Sequence, residues 1–119
     1  MLRLLKVYGC EARNIHGNMF QSGIPDIVVT SKYGVTFFCE LKMWRRVYGP
    51  TSPRDLFVLL RKTQKLYIQN VWERSGYCLI VACTHDGRAV FYTDGVNVAM
   101  SYPDVFCKYL ANLTPKDFT

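Results

Sequence analysis

The stretch from residue 23 to residue 42, GIPDIVVTSKYGVTFFCELK, limits the possible folds more than any other part of the chain. Two runs rich in β-branched and aromatic residues, 24–30 and 35–41, flank Ser31-Lys32-Tyr33-Gly34. This pattern predicts a β-hairpin, with Gly34 taking positive φ at the end of a three-residue loop. If the loop is Lys32, Tyr33 and Gly34, Ser31 faces Val35 and Asp26 stands directly opposite Glu40. Cross-strand partners share a face, so the two carboxylates come together. Lys42 lies two residues beyond Glu40 and projects from that same face, while Phe37, Cys39 and Leu41 project from the other and can form core.

Facing carboxylates repel each other and weaken an isolated hairpin. A divalent cation reverses that interaction, and carboxylate oxygens suit Mg²⁺, which uses one or two of them and keeps several waters. The alternative is a structural Asp–Lys or Glu–Lys pair on a half-exposed sheet, since surface ion pairs are common and weak. Val28, Val29, Phe37 and Phe38 point instead to a sheet buried on both faces, where a charge must be paired or metal-bound.

Pro25-Asp26, followed on the next strand by Glu40-x-Lys42, resembles the PD-(D/E)XK nuclease motif. The longer string QSGIPD at 21–26 is similar to the VRR-NUC branch, the virus-type replication-repair nucleases, and His16-Gly17-Asn18 ahead of it has the same character. The resemblance spans about residues 1–95. It implies an α/β fold with an αβββαβ core, a mixed central sheet flanked by helices. It also implies catalysis by Asp26, Glu40, Lys42 and a helix glutamine, Gln64. Mg²⁺ or Mn²⁺ would be held by Asp26, Glu40 and the backbone carbonyl of Leu41. Stand-alone, phage-like members of this branch resemble Holliday-junction resolvases, enzymes of DNA recombination and repair, so the implied substrate is branched DNA. A flap or nicking nuclease, or an inactive DNA-binding accessory protein of the same fold, are the other readings. The family carries a glutamate on its first helix that helps bind metal. Here no acid precedes Glu11, which lies past the stop at Gly9 and has two readings, a replacement ligand or, in preference, a solvated strand-edge glutamate.

The rest of the sequence agrees with a small enzyme. The 119 residues bound the chain at a single domain, 1–119, and 50% hydrophobic content predicts a packed core. The net charge of +6 suits a polyanionic partner. The five cysteines contain no C-x-x-C and three lie in apolar runs, which predicts buried reduced thiols and a cytoplasmic setting, the host's if the chain is phage-encoded. No apolar run approaches membrane-spanning length and the N-terminus lacks the pattern of a secretion signal, so no membrane role is expected.

In chain order, 1–8 reads as a short amphipathic helix ended by Gly9, 10–16 as a strand, and 17–23 as a loop. His16 has two readings, a phosphate contact or acid and a locally bonded strand end. Residues 43–52 read as a loop carrying Trp44, Arg45, Arg46 and Tyr48. From Lys42 to Lys65 there are seven Lys and Arg residues against one acid, Asp55. Basic residues interleaved with aromatics suit phosphate contacts and base stacking, which nominates Arg45, Arg46, Lys62, Lys65 and Trp44 as DNA contacts. Ser52-Pro53-Arg54-Asp55 reads as the capped start of one long helix over 53–75. On it Gln64 is the polar member of the stripe Phe57, Leu60, Gln64, Ile68 and Val71. The run 77–84 reads as a central strand, 89–93 as its antiparallel return, 103–113 as a final helix and 114–119 as a frayed tail. Two symmetric cuts in a four-way junction require two sites, and Tyr67, Trp72, Tyr92, Tyr102, Phe106 and Tyr109 exceed the needs of one small core. Both facts point to a homodimer.

Overall fold

A computed structural model describes residues 1–15, 25–74 and 76–118. His16, the loop 17–23 and the strand start at Ile24 lie outside the described residues. Helix α1 (Leu2–Val7) ends at Gly9, whose φ of +92° continues no right-handed helix. Strands β1 (Glu11–Asn14), β2 (Ile27–Thr30) and β3 (Thr36–Trp44) follow, then helices α2 (Pro53–Phe57) and α3 (Lys62–Glu73). Strands β4 (Cys78–Thr84), β5 (Val90–Thr93) and β6 (Val98–Ser101), helix α4 (Pro103–Ala111) and a 3₁₀ turn, Pro115–Phe118, complete the chain. The six strands form one sheet in sequence order, parallel between β3 and β4 and antiparallel elsewhere. This is the expected αβββαβ core, extended by β5, β6 and α4.

The sheet is covered on both faces. On one, Leu5 of α1 and Phe106 and Leu110 of α4 pack on Val29, Phe37, Cys39 and Val81. On the other, Leu56, Leu60 and Ile68 of the α2–α3 segment pack on Trp44, Ile80 and Ala82. Cys10, Cys39, Cys78 and Cys107 are buried free thiols and Cys83 is half-buried. No helix of the described residues is long and apolar enough to cross a membrane.

Three expectations are corrected, and a sixth strand is added. The helix over 53–75 is two helices. It starts as expected, with the Asp55 carboxylate accepting from the Thr51 and Ser52 N–H groups. It breaks at 58–61 because Arg61 is extended, with φ −71° and ψ 161°. The Gln64 side chain accepts the Arg61 N–H at 2.9 Å, replacing the bond a continuous helix would have made there. Strand β3 runs on through Met43 and Trp44, which shortens the loop expected from 43. The segment after the Asp94-Gly95 turn is a sixth strand. The tail folds into a 3₁₀ turn, capped where the Asp117 carboxylate accepts from both the N–H and the hydroxyl of Thr114.

Candidate active site

Strands β2 and β3 pair in the register Ile27 with Cys39 through Thr30 with Thr36. The loop is Lys32-Tyr33-Gly34, with Gly34 at φ +83° and the Ser31 N–H donating to the Val35 carbonyl at 2.8 Å. One step further along this register brings Asp26 level with Glu40. Counting from the hydrogen-bonded pair Ser31–Val35 by twos makes Asp26–Glu40 a non-hydrogen-bonded pair, the kind whose side chains approach most closely. Local turn chemistry and strand register thus set the two acids side by side.

One more step brings Pro25 level with Leu41, where an antiparallel ladder exchanges both backbone bonds. Pro25 has no N–H to give the Leu41 carbonyl. The Leu41 N–H turns to the Asp26 carboxylate, donating to Oδ2 at 2.8 Å. The proline therefore leaves the Leu41 carbonyl without its ladder donor beside the two carboxylates.

The face carrying Glu40 meets the start of α3. Glu40 is 1% exposed and Gln64 is 4% exposed. Gln64 Nε2 donates to Glu40 Oε1 at 3.0 Å. Its Oε1 accepts from Lys42 Nζ at 2.9 Å and from the Arg61 N–H at 2.9 Å. Lys42 Nζ is 3.7 Å from the same Glu40 oxygen. The break between α2 and α3 puts Gln64 in the first turn of α3, where one amide can bond the helix start, the lysine and the acid together.

Glu40 Oε2 is buried and has no hydrogen-bond partner among the described residues. Burial first, then the charge of Asp26 and a hydrogen bond to it, push the Glu40 carboxyl up to about 8 from its ordinary value of 4.5, while Lys42 and Arg61 pull the other way. The hydrogen bond to Asp26 belongs to the protonated acid, which has a proton to donate. The ionised form leaves Oε2 orphaned, and such an oxygen beside a second carboxylate calls for a cation.

The donor set fits one. No group of three His, Cys, Asp or Glu side chains gathers for a metal among the described residues. Two carboxylates and a backbone carbonyl are nevertheless all hard oxygen ligands, the number and kind that suit Mg²⁺ or Mn²⁺ with waters retained.

With this geometry in view, the comparisons with known proteins are specific about the fold. Hjc of Archaeoglobus fulgidus, a Holliday junction resolvase from an archaeal hyperthermophile, is similar in structure, with a TM-score of 0.53 over 93% of each chain and 14% sequence identity. The chain shares the fold of that protein. No protein-family model matches it, and no curated protein matches it by sequence.

The structure thus brings Asp26, Glu40, Leu41, Lys42 and Gln64 together. It does not bring Glu11. That residue pairs with Thr30, four places along β2 from Asp26 and about 13 Å away at about 3.3 Å per residue. Its carboxylate binds Arg13 at 2.7 Å. Nor does α1 face the site, because it packs with α4 on the opposite side of the sheet.

Among the proposed DNA contacts, Arg45, Arg46 and Lys62 are exposed, while Lys65 is half-buried and lies 5.8 Å from the centre of the Phe57 ring. Trp44 is corrected. It is 4% exposed, its ring edge-on to Phe91 at 5.7 Å, and has no face for a base. Since β3 continues, Trp44 shares the inward parity of Glu40 and Lys42, and alternation could have revealed this. Two residues were missed. Arg61 faces Glu40 closely enough to lower its pKa. His85 lines an open cleft of about 490 Å³ with Trp44, Arg45, Arg46, Thr84 and Asp86, beyond the carboxyl ends of the parallel strands. A second cavity of about 500 Å³, lined by Phe37, Trp72 and Asp94, holds none of the site residues.

Proposed function

We propose that this chain is a divalent-metal-dependent endonuclease that hydrolyses phosphodiester bonds in branched DNA, with the four-way junction as its substrate. The observation that carries the reading is the buried Glu40 carboxylate beside Asp26, one oxygen tied through Gln64 to Lys42 and the other without a hydrogen-bond partner among the described residues, in a fold shared with a Holliday junction resolvase.

Asp26, Glu40 and the Leu41 carbonyl would hold the metal. When bound, Mg²⁺ or Mn²⁺ supplies a water of lowered pKa and positive charge against the phosphoryl oxygens. Lys42, oriented by the Gln64 carbonyl oxygen, stands ready to neutralise charge developing on the phosphate. Gln64 keeps Glu40 and Lys42 in register through one rigid amide. Arg61 adds positive charge on the same side. Arg45, Arg46 and Lys62 are the exposed cations for flanking phosphates.

A two-fold dimer would cut both strands of a junction. The exposed Met100 of edge strand β6 and the exposed Tyr102, Val105 and Tyr109 of the segment that follows it support an interface in this part of the chain, whereas Phe106 is buried in the core and is unavailable.

The test is incubation of labelled four-way junction, flap and linear duplex with Mg²⁺ or Mn²⁺, using wild type and Asp26→Asn. Junction cleavage by wild type alone is the expected result. Tight junction binding with no cleavage in either metal would favour the accessory-protein reading.

A further inference from the structure

We propose that Tyr48, with Val47 beside it, is a stacking element that takes an unpaired base at the branch of a DNA substrate. This rests on the nuclease reading only for the identity of the ligand.

After Trp44 the chain leaves the sheet in a short loop that is anchored from below. Trp44 Nε1 donates to the backbone carbonyl of Tyr48 at 3.0 Å. The Arg46 guanidinium lies over the Trp44 ring at 5.4 Å. Gly49 packs on Phe91 so closely that an added Cβ would sit 3.2 Å from the ring. Past Gly49, the Asp55 carboxylate accepts from Thr51 and Ser52.

A loop held this firmly has the means to fold its apolar side chains inward. It turns two of them out instead: Val47 is 94% exposed and Tyr48 is 85% exposed. A lone exposed apolar residue needs no explanation. An adjacent pair on a pinned tip, next to two arginines, does. Tyr48 is held by its main-chain carbonyl, which leaves the ring unused by the fold.

The surroundings select the ligand. Arg45 and Arg46 line the cleft at the base of the loop, with Thr84, His85 and the single acid Asp86. The two arginines suit phosphates, and their like charge disfavours a second copy of this protein at this surface, away from the β6 edge. Aromatic rings beside a basic groove stack on bases, and only an unpaired or unstacked base has a free face to offer. Along β3, Trp44 lies four residues past Glu40 on the same face, about 13 Å. That corresponds to about four base steps of duplex at about 3.4 Å each. The tip therefore meets DNA a few nucleotides from the bond facing Asp26 and Glu40, and discriminates branched from linear DNA there.

The experiment is binding without cleavage, in EDTA, to a four-way junction carrying 2-aminopurine at successive positions through the branch, with linear duplex of the same sequence as control. Wild type should change the 2-aminopurine fluorescence at one or two branch nucleotides. Tyr48→Phe should keep that signal. Tyr48→Ala, which leaves the backbone anchor intact, should abolish it and weaken junction binding roughly 5- to 150-fold, as expected for one stacked base, with a smaller loss on linear duplex. An unchanged signal and an unchanged junction-to-duplex ratio in Tyr48→Ala would overturn the proposal, as would an effect on self-association alone. A Tyr48-dependent signal from a protein that never cleaves in Mg²⁺ or Mn²⁺ would uphold stacking while refuting the nuclease. Cleavage of the junction with no Tyr48 dependence would do the reverse.

Discussion

Glu40→Gln should stabilise the metal-free protein, by an amount that grows with pH. In the folded chain the Glu40 carboxyl is pushed up to about 8 by burial and by Asp26. In the unfolded chain it titrates near its ordinary value. Between those two values the folded state holds a proton that the unfolded state has released. Stability is therefore fully present below about pH 4.5 and is lost as pH rises through about 8. The loss is about 1.4 kcal/mol per pH unit across that window, which bounds the whole effect at about 5 kcal/mol. Coupling to Asp26 makes the true figure smaller. Glutamine reproduces the protonated acid: its oxygen can still accept from Gln64, and its amide can donate to Asp26. Urea unfolding followed by tryptophan fluorescence, in EDTA from pH 5 to 9, measures the difference. The advantage of Glu40→Gln should climb from pH 5 to about 7.5 and level off above about 8. Added Mg²⁺ should stabilise wild type, more at pH 8 than at pH 6 because a liganding carboxylate must be ionised. It should leave the variant unchanged. Parallel pH curves for the two proteins would show that Glu40 is ionised at neutral pH and would refute the reasoning.

Asp26→Asn and Glu40→Gln should each abolish junction cleavage while junction binding stays intact or tightens, since negative charge near the phosphate is removed; cleavage at wild-type rate by either would sink the site. Gln64→Leu should cost about 2 kcal/mol by stranding the Arg61 N–H and the Lys42–Glu40 pair, and should lower kcat more than it raises KM; thermal melting and steady-state kinetics measure both. Arg45→Ala with Arg46→Ala should reduce the slope of log K against log salt by about 1.8 if each contacts one phosphate, and an unchanged slope would confine both residues to holding the loop. Sedimentation equilibrium should give a mass near twice 13.8 kDa, and a monomer that stays monomeric on junction DNA would remove the symmetric-cut mechanism.

Much of the site was legible in the sequence because its first half is local. A strand alternates by two, and a three-residue loop ending in glycine sets one register. From these the pairing of Asp26 with Glu40, the shared face of Lys42, and the inward Phe37 and Cys39 all follow. The N-terminal start of α2 was also local, written in Ser52, Pro53 and Asp55, and so was the stop at Gly9. Other features depended on groups far away in the chain. The stripe from Phe57 to Val71 satisfies helical periodicity without a break, so nothing local calls for one at 58–61. The break accompanies an amide in the first turn of α3 that bonds Arg61, Lys42 and Glu40 at once, and two of those partners come from another element. The burial of Trp44 depends on Phe91 and on strand β3 continuing past Lys42. The closing 3₁₀ turn follows a segment tied to the hairpin loop, where Ser31 Oγ donates to the Leu113 carbonyl and Lys32 N to the Ala111 carbonyl. The sequence by itself determined which two acids meet, since strand period and turn chemistry act over a few residues. Only the tertiary structure decided that Glu40 is dry, that Gln64 ties it to Lys42, and that Tyr48 rather than Trp44 faces outward, because burial is a property of what packs against a residue and not of the residue's neighbours in the chain.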